Sequence, residues 1–169
     1  FTSLVTNDYQ THHTWYHPSF VHSTAYLGQD RTLIVPLIIS DPIMPISSWA
    51  GGRFQKLDWE DNVIWDFYYY DTLYNPHHDI EPLPNGNILV ICWEVKSQNE
   101  AINKGKININ SEIWPTMIVE LEPPNGEVVW EWHLWDHLIQ DVDISLPNYG
   151  IIADHPELLD INQGGPVSN

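Results

Sequence analysis

The chain reads as an all-β protein, and three observations carry that expectation. Thirteen Pro and nine Gly cut its 169 residues into short runs, which leaves little room for helices of three or four turns. Nine Trp and eight Tyr supply the rings that fill pleated strand faces and ligand clefts. A hairpin also recurs. Phe54 to Leu57, a Trp59-Glu60-Asp61-Asn62 turn and Val63-Ile64-Trp65-Asp66-Phe67 form the first copy. Met117-Ile118-Val119-Glu120-Leu121, a Pro123-Pro124-Asn125-Gly126 turn and Val128-Val129-Trp130-Glu131-Trp132 form the second. Trp65 and Trp130 stand 65 residues apart, whereas a four-stranded propeller blade takes about 40–45. The polar, Asn-rich insert at 96–115 accounts for the excess. Paired hairpins, repeated, are how propeller blades are written. The expected architecture is a partial β-propeller of two to three blades; a β-sandwich with two similar hairpins is the alternative.

The elements follow in order. Residues 25–35 read as strand, turn, strand around Gly28-Gln29-Asp30. Pro42, Pro45 and Ser47-Ser48 mark a loop. The first hairpin copy comes next, then a hairpin over residues 80–93 whose Asn85-Gly86 is the strongest short hairpin signal in the chain. Within the insert, Ser97-Gln98-Asn99-Glu100 resembles a capping box and predicts a short surface helix inside 94–104. A second helix is expected over 154–160, with Pro156 in its first turn. Residues 163–169 read as a tail, and 1–169 as a single domain, an incomplete propeller or a piece of one. The start at Phe1 fits a processed chain or a segment of a longer one.

Composition excludes several function classes. The net charge is −17, from 6 Lys+Arg against 23 Asp+Glu. Nucleic acid is not an expected partner, because phosphate neutralisation needs basic surface. Anionic membranes would repel the chain, and no apolar run of about 18 residues predicts insertion into one. Such acidity suits solubility, cation attraction, or an acid or salty habitat. The one cysteine, Cys92, lies in the apolar run Ile88-Leu89-Val90-Ile91-Cys92-Trp93 and reads as a small buried hydrophobe. It can form no intrachain disulfide, which fits an intracellular protein or a secreted one that does without disulfides. No signal peptide is visible. P-loop, GxGxxG, GxSxG and HExxH signatures are absent.

The nine His are the side chains best suited to proton transfer and nucleophilic attack near neutral pH. His77-His78-Asp79 sits in a loop at the entry to a strand. In extended backbone its two imidazoles would face opposite ways, so one of them would point into a given cleft. Asp79 could orient an imidazole. The competing reading is two solvated loop histidines. As a metal site the pair is weak, since no third ligand is fixed by spacing, and no metal is assigned. His137 lies in Trp130-Glu131-Trp132-His133-Leu134-Trp135-Asp136-His137-Leu138. There Trp132 and Trp135 suggest either an aromatic-lined pocket for a flat substrate or a packing cluster at a strand end. His12, His13 and His17 read as loop or edge residues, and His155 as a capping residue. Arg53, beside Gly51-Gly52, is a candidate donor to an anionic ligand, or a surface residue. Asp58, Glu60, Asp61 and Asn62 could hold a structural calcium ion, although the EF-hand Gly and distal Glu are missing; no other cofactor is expected.

Taken together these residues resemble the arylsulfotransferase (aryl-sulfate sulfotransferase) family. The resemblance rests on Lys56-Leu57-Asp58-Trp59 and Val63-Ile64-Trp65-Asp66-Phe67, on His77-His78-Asp79-Ile80 followed by Leu83-Pro84-Asn85-Gly86-Asn87-Ile88-Leu89, and on Gly126-Glu127-Val128-Val129-Trp130-Glu131-Trp132 followed by Trp135-Asp136-His137-Leu138-Ile139-Gln140-Asp141. His155-Pro156-Glu157-Leu158-Leu159-Asp160-Ile161-Asn162 extends it, for a total span of about residues 20–162. It implies a six-bladed propeller, a periplasmic or extracellular location, and sulfuryl transfer from a phenolic sulfate donor to a phenolic acceptor through a sulfated histidine. The implied catalytic positions are His78 (or His77) and His137. Trp132, Trp135 and Arg53 are the expected substrate contacts. This chain is short of six blades, so completion by other copies or a non-catalytic role is the rival expectation. The latter would be an extracellular β-protein that assembles into oligomers or filaments through open sheet edges.

Overall fold

The computed structural model describes residues 1–39 and 51–163. The loop expected around Pro42, Pro45 and Ser47-Ser48, and the tail from residue 164, lie outside the described residues. Among the described residues the chain is all-β apart from one short helix and two 3-10 turns. The strands are β1 (Thr2–Val5), β2 (Thr11–Trp15), β3 (Tyr26–Leu27), β4 (Leu33–Leu37), β5 (Arg53–Leu57), β6 (Val63–Tyr68), β7 (Tyr74–Pro82) and β8 (Ile88–Glu94). Helix α1 (Gln98–Asn103) follows, then β9 (Thr116–Glu122), β10 (Glu127–His133), β11 (Leu138–Ile139) and β12 (Leu159–Asp160). Two four-stranded sheets dominate, ordered β3-β4-β5-β6 and β7-β8-β9-β10. Each is a meander with its strands in chain order, the strand order of a propeller blade, and neither is closed on itself. Both predicted hairpin copies appear as the last two strands of a sheet.

By contact, the chain divides into two compact units. One comprises residues 1–92 and 118–131, the other 93–117 and 132–169. In the first, β1 and β2 form an antiparallel ribbon. Trp15 at the end of β2 is buried with Leu33, Val35, Leu37 and Leu57 of the first sheet. Its indole N–H donates to the Asp58 carbonyl (2.9 Å) and stitches the ribbon to the β5–β6 turn. That turn is closed by Asp58, which accepts from the backbone and side-chain nitrogens of Asn62 at 2.8 and 2.9 Å. Nearby, the Tyr16 amide donates to Asp61 at 3.1 Å. The predicted Asn85-Gly86 hairpin turn is present, with Leu83 N–H to Asn87 C=O at 2.8 Å and Gly86 N–H to Leu83 C=O at 3.0 Å. The β9–β10 turn reaches Phe67 of β6 so closely that a Cβ on Gly126 would stand 2.5 Å from the ring. Only glycine permits that approach, and its φ of +72° suits no other residue well.

The second unit holds the polar insert, which is not wholly irregular. Lys96 and Ile113 pair in an isolated antiparallel bridge, each N–H donating to the other's carbonyl at 2.9 Å. The predicted capping box starts α1: Ser97 N–H meets Glu100 Oε2 at 2.8 Å, and Glu100 N–H meets Ser97 Oγ at 3.3 Å. The helix expected over 154–160 does not form. A 3-10 turn occupies Ile152–Asp154 and ends at His155, and Leu159–Asp160 pairs in parallel with Leu138–Ile139. The pairing of Leu159 and Asp160 with β11 takes up backbone groups that the helix would have needed. No helix among the described residues is long and apolar enough to cross a membrane.

Candidate active site

The histidine pair lies inside β7 rather than in a loop. Asn75, Pro76 and His77 are buried one after another, His78 and Asp79 are exposed, and Ile80 is buried again. A regular strand cannot do this, because its side chains alternate. The break is at His78, whose φ is +60°. This left-handed residue resets the phase of the strand. It brings the two imidazoles together instead of sending them to opposite faces, with Nδ1 to Nδ1 at 2.7 Å and rings 89° apart.

That contact fixes complementary proton states. Of two neutral rings sharing an Nδ1···Nδ1 hydrogen bond, one donates and the other accepts, so the donor ring presents its lone pair at Nε2. His77 is 8% exposed. Burial, then the His78 charge, push its pKa down to about 4; the Cys92 backbone opposes this, and His22 adds to it. His77 is therefore neutral at physiological pH.

His22 is the residue sequence reasoning missed. It lies far from His77 in the chain, and no spacing signal marks it. It is half-buried, and a Cβ on Gly51 would stand 3.0 Å from its Nδ1. Gly51 N–H donates to the Pro76 carbonyl at 3.2 Å, so the bare glycine lets the backbone lie against both His22 and the strand carrying His77. Asp79 does not orient an imidazole. It accepts from the Tyr26 hydroxyl at 3.0 Å and from the Ile80 amide at 2.9 Å, and burial and this bond push the Tyr26 pKa up to about 12. Cys92 is fully buried, and burial drives its thiol pKa far upward, as an inert core position requires.

Arg53 holds Asp66 through a two-pronged ion pair, Nε to Oδ1 at 2.9 Å and Nη2 to Oδ2 at 2.6 Å, with its guanidinium 5.2 Å from the Tyr68 ring centroid. The guanidinium holds the Asp66 carboxyl below its ordinary range. Arg53 also lines a cavity of about 270 Å³ with Tyr68, Tyr70, Ile38 and Ile39. His13 stacks on Trp59 at 4.1 Å and meets Trp15 edge-on at 4.3 Å. His17 Nε2 lies 2.8 Å from Thr2 Oγ1. These two rings serve the packing of the N-terminal ribbon.

His137, Trp132 and Trp135 belong to the second unit. His137 ends the 3-10 turn Leu134–His137 and stacks on Trp132 with centroids 4.9 Å apart. Trp135 carries two ammonium groups, Lys96 Nζ at 5.4 Å and Lys104 Nζ at 5.5 Å from its centroid. Lys96 also meets the buried Glu94 at 2.7 Å, and His133 Nδ1 reaches the same carboxylate oxygen at 3.1 Å. His155 Nδ1 lies 3.0 Å from Glu157 Oε1. Among the described residues no three His, Cys, Asp or Glu side chains group as metal ligands.

The chain is thus an all-β protein of repeated four-stranded meanders, with a histidine pair in contact on β7. Residues 44–156 match the family model described as Arylsulfotransferase (ASST). The match covers more than half of the chain, and the protein belongs to the arylsulfotransferase family. None of the curated proteins compared with it gives a significant match.

Proposed function

We propose that this chain carries the histidine chemistry of an aryl-sulfate sulfotransferase, moving a sulfuryl group from a phenolic sulfate to a phenolic acceptor. The observation that carries the reading is the 2.7 Å Nδ1···Nδ1 contact between a buried, neutral His77 and an exposed His78. In this scheme His78 donates its Nδ1 proton to His77 and attacks through Nε2. The S–O bond to the donor breaks as the N–S bond forms, and the phenolate leaves. The acceptor oxygen then attacks sulfur, the N–S bond breaks, and the acceptor's proton passes to solvent or a nearby base. A nucleophile of this kind splits one hard displacement into two easier ones. His77 holds the tautomer, as a hydrogen-bonded orienting group does in other histidine sites.

His22 is a candidate second donor near His77. His137, with Trp132 and Trp135, is proposed to contribute charge stabilisation and aryl contact, and Arg53 could serve only by exchanging Asp66 for the substrate anion. The two meanders are read as propeller blades, and the location as periplasmic or extracellular. The test is turnover of a chromogenic aryl sulfate with a phenol acceptor by the full-length protein. His78→Ala should lower kcat by roughly a thousandfold or more, and quenched reactions of the unaltered protein should contain N-sulfohistidine. Turnover that survives in His78→Ala, or a full-length folded protein with none, removes the assignment.

A further inference from the structure

Before β9 the chain runs back along the end of β8. Glu94 N–H donates to the Pro115 carbonyl at 2.9 Å, and Lys96 and Ile113 exchange backbone hydrogen bonds, each at 2.9 Å. Side chains alternate along paired segments, so the Glu94–Lys96 ion pair projects from one face and Trp114 from the other. Trp93 shares the Trp114 face, with ring centroids 6.1 Å apart and planes inclined at 43°. Ser111, Glu112, Ile113 and Trp114 line a mainly apolar cavity of about 650 Å³, a size that suits a small organic molecule. Of these four residues Glu112 alone is ionisable. The Trp114 indole N–H donates to Glu112 Oε1 at 3.2 Å. That bond uses the edge of the indole, holds the carboxylate beside the ring and leaves the π-face unused by it.

We infer that this cavity binds a small organic cation, a quaternary ammonium ion being the simplest of the class. The charged methyl groups pack against the Trp114 face, whose π-electrons attract positive charge, and Glu112 supplies the opposite charge. Other ligand classes fit less well. An anion meets Glu112, with no lysine or arginine among the lining residues. An inorganic cation finds one carboxylate where such ions take several oxygen ligands. A neutral molecule gains nothing from the carboxylate. The net charge of −17 raises the concentration of every cation near the surface. Selection among cations comes from the indole and the apolar wall, which favour one that is weakly hydrated and partly apolar.

The test is binding, and the probe is choline, titrated calorimetrically into the full chain at constant physiological salt, which screens the general pull of an acidic surface. Saturable single-site binding is expected. The neutral isostere 3,3-dimethylbutan-1-ol, with carbon in place of nitrogen, should bind at least about tenfold more weakly. Glu112→Gln keeps an oxygen that accepts from the Trp114 indole and removes only the charge; it should weaken choline by roughly threefold to tenfold. Glu127→Gln removes the same charge from the start of β10 and should change nothing. Trp114→Leu should weaken choline roughly tenfold, and Trp114→Phe by less. Thermal melts show that each variant is folded, and Glu112→Gln carries the test if Trp114→Leu is not. No saturable binding, equal binding of the neutral alcohol, undiminished affinity in Glu112→Gln, or as large a loss in Glu127→Gln overturns the inference. The transferase reading stands or falls separately, on turnover.

Discussion

Strands β7 and β8 are neighbours in one sheet and follow opposite rules. In β8 burial alternates without a fault: Ile88, Val90, Cys92 and Glu94 are buried and the residues between them are not. In β7 three consecutive residues are buried and then two are exposed. β8 spends its pleat on the core, where every second side chain is held by packing. β7 gives up that regularity at one residue in the left-handed region, a conformation that costs about 1 kcal/mol for a non-glycine residue. What the departure yields is an imidazole pair that no regular strand could bring into contact. Strain of this kind gathers where chemistry is done.

The contrast is broken most forcefully at β8. Ile88 is fully buried, so Ile88→Ala should lower unfolding stability by about 3 kcal/mol through lost transfer energy and the cavity left behind. Urea unfolding reads this directly. A loss below about 1 kcal/mol would mean that the regular strand is not where the sheet is anchored.

Next in size is an effect of pH at β7. In the folded chain His77 stays neutral down to about pH 4, whereas its ordinary pKa is 6.5. Between those values the unfolded chain binds the extra proton and the folded chain does not. Stability is therefore constant above pH 6.5 on account of this group and falls as the pH drops toward 4. The full loss is roughly 3 kcal/mol. His77→Gln should flatten that slope in denaturant midpoints measured from pH 7 to 4. An unchanged slope would show that the ring takes up its proton in the folded state near the ordinary pH, and the neutral tautomer assigned to it would fail.

Much of the fold was legible because it obeys local rules. The recurring run of two β-branched residues, Trp, an acid and an aromatic ring marked β6 and β10, and Ser97 with Glu100 marked the start of α1. The Asn85-Gly86 pair marked the β7–β8 turn. The candidate site was legible only as composition. His77 and His78 stood out as types, but strand alternation argued that they diverge, and nothing in the letters says that His78 takes φ of +60°. His22 approaches through Gly51, a tertiary contact without a sequence period. Asp79 was expected to orient an imidazole, yet it binds Tyr26, a residue of another strand. Lys96 and Lys104 escaped notice for the same reason: their meeting place, Trp135, lies beyond the whole insert.

The smallest effect is also the sharpest separation of the two strands' roles. Glycine adopts a positive φ freely, so His78→Gly relieves about 1 kcal/mol of backbone strain. It also raises the freedom of the unfolded chain, which takes back roughly 0.5–1 kcal/mol. The two terms oppose each other, and thermal melts of His78→Gly should match those of the unaltered protein within about 0.5 kcal/mol. His78→Val should instead lose about 1–2 kcal/mol, since a β-branched side chain fits this region badly. Aryl sulfate turnover should vanish in both. If His78→Gly were to lose as much stability as Ile88→Ala, the ring of His78 would be a packing element, and the irregularity of β7 would belong to the core after all.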